Sequence, residues 1–399
     1  FAGERYRVSS FGFAQCVYAV LVTVVLYRNK GSCLQWPSFV KNSVRGDHKT
    51  LSTVILIIKR NFDTTALRLS IYFSLQSIFK HILTEGDRIV LTALVGTYDS
   101  GVYAMASSYG GMASRLIFQP LEENGRLLFL HHHVAILEAR EGGDAARELI
   151  EQLQKTYIVM VKCVLYIGLI FAVYGSNFTS ILLHLLAGDR WGSNPDAAAA
   201  LSSFCIYLSI MSLNGMTEAF VYGVAESGKE VASLSIAHGV IGFVFYIIAP
   251  TMVIHGRNYG VGGTIGLVLS NGICMALRAT YSFLFAGNYF CKYQDAKIKE
   301  LRSNIISLRA LKKSFRLFMN TLPEVPVQLS LCLSFIMMKR SKERLLTASS
   351  FSVEAASHLG LGISCFAVTA VMAFFCERKN FGKSIQALFS RRGGKYKMK

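Results

Sequence analysis

Long apolar stretches recur along this chain, and they limit its fold more than any other feature. A helix that crosses a bilayer needs about 20 predominantly apolar residues, because hydrocarbon offers the backbone no hydrogen-bonding partner. Nine stretches meet or approach that length: Ser9 to Tyr27, Leu67 to Val95, Gly101 to Leu130, Tyr157 to Tyr174, Ala197 to Ala225, Val231 to Ile254, Val261 to Ala286, Leu322 to Met338 and Ala355 to Cys376. A shorter apolar extension, Phe178 to Leu186, follows the fourth, and the eighth is marginal in length. We therefore expect an all-α, polytopic membrane bundle with about nine transmembrane helices.

Charge supports that class. Only 17% of residues are charged, against about 25% in ordinary soluble domains, while 52% are hydrophobic. The formal net charge of +18 would point to nucleic acid in a soluble protein. Here the basic residues gather in three segments, after the first span, around Lys292 to Arg316, and in the tail from Arg378, so they report topology instead. All three fall on one side if nine spans are counted, which the positive-inside rule makes cytosolic. Lys339, Arg340, Lys342 and Arg344 break the pattern after the eighth span. The nine cysteines include no CxxC pair and mostly lie within apolar runs, as small buried residues do. Asn177-Phe178-Thr179 is a glycosylation sequon on the non-cytosolic side. The chain begins with Phe, and we expect it to be a fragment lacking its N-terminal part.

Against this apolar background the charged residues within spans stand out, since each costs about 2.5–3.5 kcal/mol at a helix centre on insertion scales. Lys80 and Asp87 share a helix face, and Glu85 can pair with Arg88 around Gly86. LTEGDR is either a broken helix exposing backbone and charge to a cavity or a loop between two shorter pieces. Arg115, Gln119, Glu122 and Arg126 recur at four, three and four, with Glu123 beside them, giving one polar stripe that Pro120 is expected to kink. The stripe is either the wall of a hydrophilic cavity or cytosolic residues with Arg115 as a structural partner. Asn214 and Glu218, with Tyr222, form a face on the fifth span; Asn271, Met275 and Arg278, with Tyr281 beside them, do so on the seventh. Glu218 and Arg278 read as an ion pair across the bundle or as two points of one cavity. Lys162 is expected to snorkel towards the cytosol, and His131-His132-His133 to be solvated histidines. Gly262 and Gly266 form a GxxxG packing motif. No nucleotide loop, metal-protease helix or nucleophile elbow is present, and no cofactor or catalytic residue is expected; the chain reads as a non-enzyme.

KHILTEGDR, GVYAMASSYGGMASRLIFQPLEE, NGMTEAF and NYGVGGTIGLVLSNGICMALRATYSFLF together resemble the Rft family of oligosaccharide translocation proteins, within the multidrug/oligosaccharidyl-lipid/polysaccharide exporter superfamily. The resemblance implies an exporter-type two-lobe fold of fourteen helices, with the first lobe mostly missing here. Residues 1–28 would be the last helix of that lobe, 29–65 a cytosolic basic loop and 66–289 the second six-helix lobe. Residues 290–320 would be a cytosolic basic connector, 321–377 the final helix pair and 378–399 a basic cytosolic tail. It further implies a multi-pass protein of the endoplasmic reticulum membrane that moves a dolichol-diphosphate-linked oligosaccharide, a heptasaccharide, to the lumenal leaflet for N-glycosylation. Membrane lipids would be its other partners, with no nucleic acid. On that reading Lys80, Arg88, Arg115, Gln119, Asn271 and Arg278 are the substrate-binding candidates. Glu85, Asp87, Glu122, Glu123, Arg126, Asn214 and Glu218 form the charge network. Two rivals remain: a glycolipid-binding helper without flippase activity, and a cation-coupled small-molecule exporter.

Overall fold

A computed structural model describes residues 96–139, 143–225, 228–258, 262–294, 308–347 and 351–390. The chain divides into two compact units, Phe1–Ser74 and Leu75–Lys399, and every described residue belongs to the second. Among the described residues the structure is wholly helical, with no strand. Helices α1 (Thr97–Ala113) and α2 (Gln119–Glu138) run on through a π-turn at Ser114–Phe118. Helix α3 (Gly143–Ile170) passes through a second π-turn, Phe171–Gly175, into α4 (Ser176–Ala187), and a single turn, α5 (Asp189–Gly192), follows. Then come α6 (Pro195–Val224), α7 (Gly228–Asn258), α8 (Gly263–Gln294), α9 (Leu308–Thr321), α10 (Val325–Thr347) and α11 (Phe351–Ser390).

By length and apolar content five described helices can cross a membrane: Ala145–Ala187, Pro195–Val224, Glu230–Asn258, Gly263–Tyr293 and Val353–Arg378. A sixth is available if α9 and α10, bent by 61° at their junction, count as one span. The expected fourth span and its extension are thus one continuous run, because a π-turn carries the helix past Gly175 instead of breaking it. The marginal eighth span, Leu322 to Met338, becomes the second limb of a bent pair. Gly101 to Leu130 is helical throughout but is not apolar enough to be counted among the spans. The expected spans at Ser9 to Tyr27 and Leu67 to Val95 lie outside the described residues.

Helix α6 is the axis of the bundle, contacting α1, α2, α3, α4 and α8. Its start is fixed by Asn194, whose Oδ1 accepts the N–H groups of Asp196 and Ala197 at 2.9 and 3.2 Å, with Pro195 in the first turn. Where α2 crosses α6, glycines remove the bulk between them. A Cβ on Gly223 would stand 2.9 Å from the Arg126 carbonyl oxygen, and one on Gly125 would stand 2.7 Å from Met216 Sδ. Below the crossing an aromatic cluster fills the core: Tyr157 and Phe220 are fully buried, with ring centroids 4.7 Å apart, and Phe129 and Phe290 close around them.

The last two helices dock on α3 and α4 through polar side chains. Lys162 on α3 meets Glu377 on α11 at 2.6 Å, and both side chains are 6% exposed. Lys162 therefore does not snorkel to water; it is neutralised inside the bundle. Lys342 on α10 donates to the Ser176 carbonyl and to Thr179 Oγ1 at 3.1 and 3.2 Å, and His358 on α11 reaches the Asn177 carbonyl at 3.1 Å. Lys342, one of the basic residues that break the charge pattern, is thus a packing contact rather than a loop charge. The same docking closes the sequon. Asn177 is 4% and Thr179 0% exposed, and the Asn177 amide donates to the Val173 carbonyl at 2.7 Å, so no transferase can reach it in the fold.

Candidate functional site

Of the thirteen residues singled out by sequence, Lys80, Glu85, Asp87 and Arg88 lie outside the described residues. The other nine fall into three groups. The first sits where α6, α7 and α8 meet. Asn214 and Glu218, one helical turn apart, face the same way, and Asn214 Nδ2 donates to Glu218 Oε2 at 3.2 Å. His238 on α7 approaches the same carboxylate, its Nδ1 3.8 Å from Glu218 Oε1. Tyr222, one turn further along α6, lies within electrostatic range of both Glu218 and Arg278 on α8. Just beyond, Ser233 and Tyr281 join α7 to α8 with a 2.8 Å hydrogen bond.

Arg278 takes no part in the ion pairs seen among the described residues, and its Nε is buried without a hydrogen-bond partner. Glu218 is engaged by Asn214 and His238. Glu218 and Arg278 thus form no ion pair with each other among the described residues. His238 had no part in the sequence reading. Its one signal was a lone imidazole in the apolar run Val231 to Ile254, a pattern that fits an ordinary core histidine equally well.

The second group is the α1–α2 stripe, and a change of helical register splits it. Pro120 has no N–H, so the Leu116 carbonyl loses its usual donor. The chain responds with a wider turn in which the Gln119 N–H reaches back to the Ser114 carbonyl. Past that turn Gln119, Glu123 and Arg126 are exposed, and Gln119 Nε2 donates to Glu123 Oε1 at 3.5 Å. Glu122 leaves the stripe and turns onto α6, where its carboxyl occupies the space that a Cβ on Gly215 would need. There Glu218 and then Glu123 are the acidic groups acting on it. Arg115, within the π-turn, is exposed and folds back along its helix, its Nη2 4.0 Å from where a Cβ on Gly111 would lie. The expected uniform stripe is thus an exposed row with one carboxyl diverted to the helix interface.

Asn271 forms the third group. Its Nδ2 donates to Tyr103 Oη of α1 at 3.4 Å, two turns, or about 10 Å, along α8 from Arg278. This bond belongs to a set that ties α1 to the bundle. Asn194 Nδ2 donates to Tyr98 Oη at 2.7 Å, Tyr98 donates to Asp196 at 3.2 Å, and Arg257 stands 3.8 Å from Asp99. Among the three histidines, His133 is buried, with Nδ1 2.7 Å from Tyr289 Oη; it is a core residue, not a solvated one. No group of three or more histidine, cysteine or acidic residues could hold a metal among the described residues.

A model of the Rft protein family matches residues 1–387. The chain belongs to the Rft family. Similar curated proteins carry the name Man(5)GlcNAc(2)-PP-dolichol translocation protein RFT1. The Eremothecium gossypii protein is 32% identical over 63% of this chain and 43% of its own length. The Candida glabrata protein is 32% identical over 55% of this chain and 37% of its own length. The mouse protein is 26% identical over 77% of this chain and 51% of its own. The chain thus spans about half or less of each of these relatives. No solved structure matches it.

Proposed function

We propose that this Rft chain forms part of a multi-pass protein of the endoplasmic reticulum membrane that moves a dolichol-diphosphate-linked Man5GlcNAc2 oligosaccharide from the cytosolic to the lumenal leaflet. The names of its relatives support the cargo. In this reading α1 to α8 are the second lobe of a two-lobe exporter, and rocking of the lobes exposes a shared cavity to each side in turn. The chain works by binding and movement, with no bond made or broken.

The observation that carries the reading is Arg278. A guanidinium on a membrane-crossing helix, with a buried Nε lacking a partner and no ion pair among the described residues, is costly unless something anionic visits it. A diphosphate suits it, since guanidinium nitrogens match phosphate oxygens in bidentate geometry. Tyr222, Asn214 and Glu218 supply hydroxyl, amide and carboxylate groups nearby of the kind that hold sugar hydroxyls. Arg115, exposed on the π-turn, is a second phosphate contact, and Lys80 and Arg88 are proposed to complete the path from the segment before α1. Full-length protein in proteoliposomes, supplied with the dolichol-linked heptasaccharide, provides the test. Arg278→Gln lowers the translocation rate about tenfold or more, the loss expected for one charged hydrogen bond. Arg115→Gln lowers it less, because an exposed contact is screened. Equal rates for wild type and Arg278→Gln would remove the residue from the path.

A further inference from the structure

We infer that helix α9 lies in the headgroup layer of the bilayer and binds anionic phospholipid. The helix has three faces. At 100° per residue, Ala310, Ser314, Leu317 and Thr321 fall on one side, and all four are buried. They seat the helix on α8 and α3; a Cβ on Gly287 of α8 would stand 2.8 Å from the Ala310 carbonyl, so the two backbones nearly touch. A second side carries Leu308, Leu311, Phe315 and Met319, which are 84%, 49%, 64% and 48% exposed. The third carries the exposed cations Arg309, Lys312 and Arg316.

A helix with this division has few places to rest. Its fourteen residues reach about 21 Å, short of the roughly 30 Å hydrocarbon core, and four of them are basic, so it does not cross alone. It leaves α10 at 61° and is fixed to the end of a membrane-crossing helix, α8. That holds it at the bilayer surface, inclined to its neighbours. The apolar face then meets acyl chains, and the cations next to it stand at the depth of the phosphates. The chemistry selects its partner: an apolar strip edged by positive charge complements an anionic leaflet better than a neutral one, by about fivefold per cation at the surface. The occupant is bulk phospholipid, whatever the cargo.

The test uses the full chain, reconstituted in nanodiscs of phosphatidylcholine. Trp36 and Trp191 are replaced by Phe, and Phe315→Trp makes the exposed face of α9 the sole reporter. Bromine on the acyl chains of phosphatidylcholine quenches this tryptophan. A trace of brominated phosphatidylserine quenches it more than an equal trace of brominated phosphatidylcholine. Lys312→Gln with Arg316→Gln, both at exposed positions, keeps the first effect and reduces the second by about twentyfold in lipid preference. No quenching by either lipid, as when another protein covers the face, overturns the surface position. Equal quenching by the two lipids overturns the anionic selectivity.

Discussion

Lys162 and Glu377 are 215 residues apart, yet their side chains form the shortest ion pair among the described residues, at 2.6 Å. Glu377 Oε1 also accepts from Tyr166 Oη at 3.0 Å and from the Glu324 N–H at 3.4 Å, so one carboxylate gathers α3, α10 and α11. Both side chains are nearly dry, and removing one partner strands the other charge. Such a loss costs about 3–5 kcal/mol, whereas removing both charges costs much less. Lys162→Met is therefore expected to lower the thermal midpoint of the detergent-solubilised protein sharply. Adding Glu377→Gln, which keeps an acceptor for Tyr166, is expected to recover most of the loss. A single variant that melts like the wild type would show that the pair carries no stability. Sequence alone could not reveal this contact. Lys162 in an apolar run looks like a snorkelling residue, and Glu377 at a span's end looks like an interfacial charge; only the docking of α11 joins them. Glu218 and Arg278 were conspicuous in the sequence because a charge within a span is costly. His238 was not, because a lone histidine carries no such cost.

At the scale of elements, the two π-turns and the glycine contacts decide how helices meet. Apolar length marked the helices from Pro195 to Tyr293 closely, since burial in lipid is written into composition. It could not mark the π-turns, one of which follows from the missing N–H at Pro120. Nor could it separate the two glycines of GxxxG. Gly262 has φ +89° and its N–H donates to the Gly256 carbonyl at 3.0 Å, so it forms the turn into α8. Gly266 is the packing position: a Cβ there would collide with the backbone carbonyl of Met252 on α7. Gly239, also helical, has nothing within 4 Å of its Cβ site. The two substitutions should therefore diverge. Gly266→Ala forces α7 and α8 apart and destabilises by about 1–3 kcal/mol, as overpacking does. Gly239→Ala is neutral or slightly stabilising, since alanine is the better helix former. Thermal melts of both in one detergent check the pair; a Gly266→Ala protein as stable as Gly239→Ala would mean that α7 and α8 do not approach at Gly266.

For the whole molecule, the arrangement of spans fixes which ends share a side. Between Glu138 and Ser193 the chain has one run long and apolar enough to cross, Ala145–Ala187. Between Ser193 and Lys292 it has three, in α6, α7 and α8. If each of these crosses, Glu138 and Lys292 face one compartment and Ser193 the other. Arg378 is the decisive position. If α10 crosses as the second limb of the bent pair, α10 and α11 bring Arg378 back to the side of Lys292; if α10 does not cross, Arg378 lies opposite. Most of the charge favours crossing, because Lys292, the cations of α9 and the tail from Arg378 all become cytosolic only then, at the expense of Lys339, Arg340 and Arg344 at the far end of α10. The two sides can be read by single cysteines at 138, 193, 292 and 378 in a cysteine-free background. All seven cysteines among the described residues are free, so replacing them breaks no bond there. In intact microsomes an impermeant maleimide is expected to label positions 138, 292 and 378 from outside, and position 193 only after permeabilisation. Labelling of 378 only after permeabilisation would reduce the described crossings from six to five. It would also leave the basic tail lumenal, against the charge rule, and the bent pair would then be a re-entrant element instead of a span.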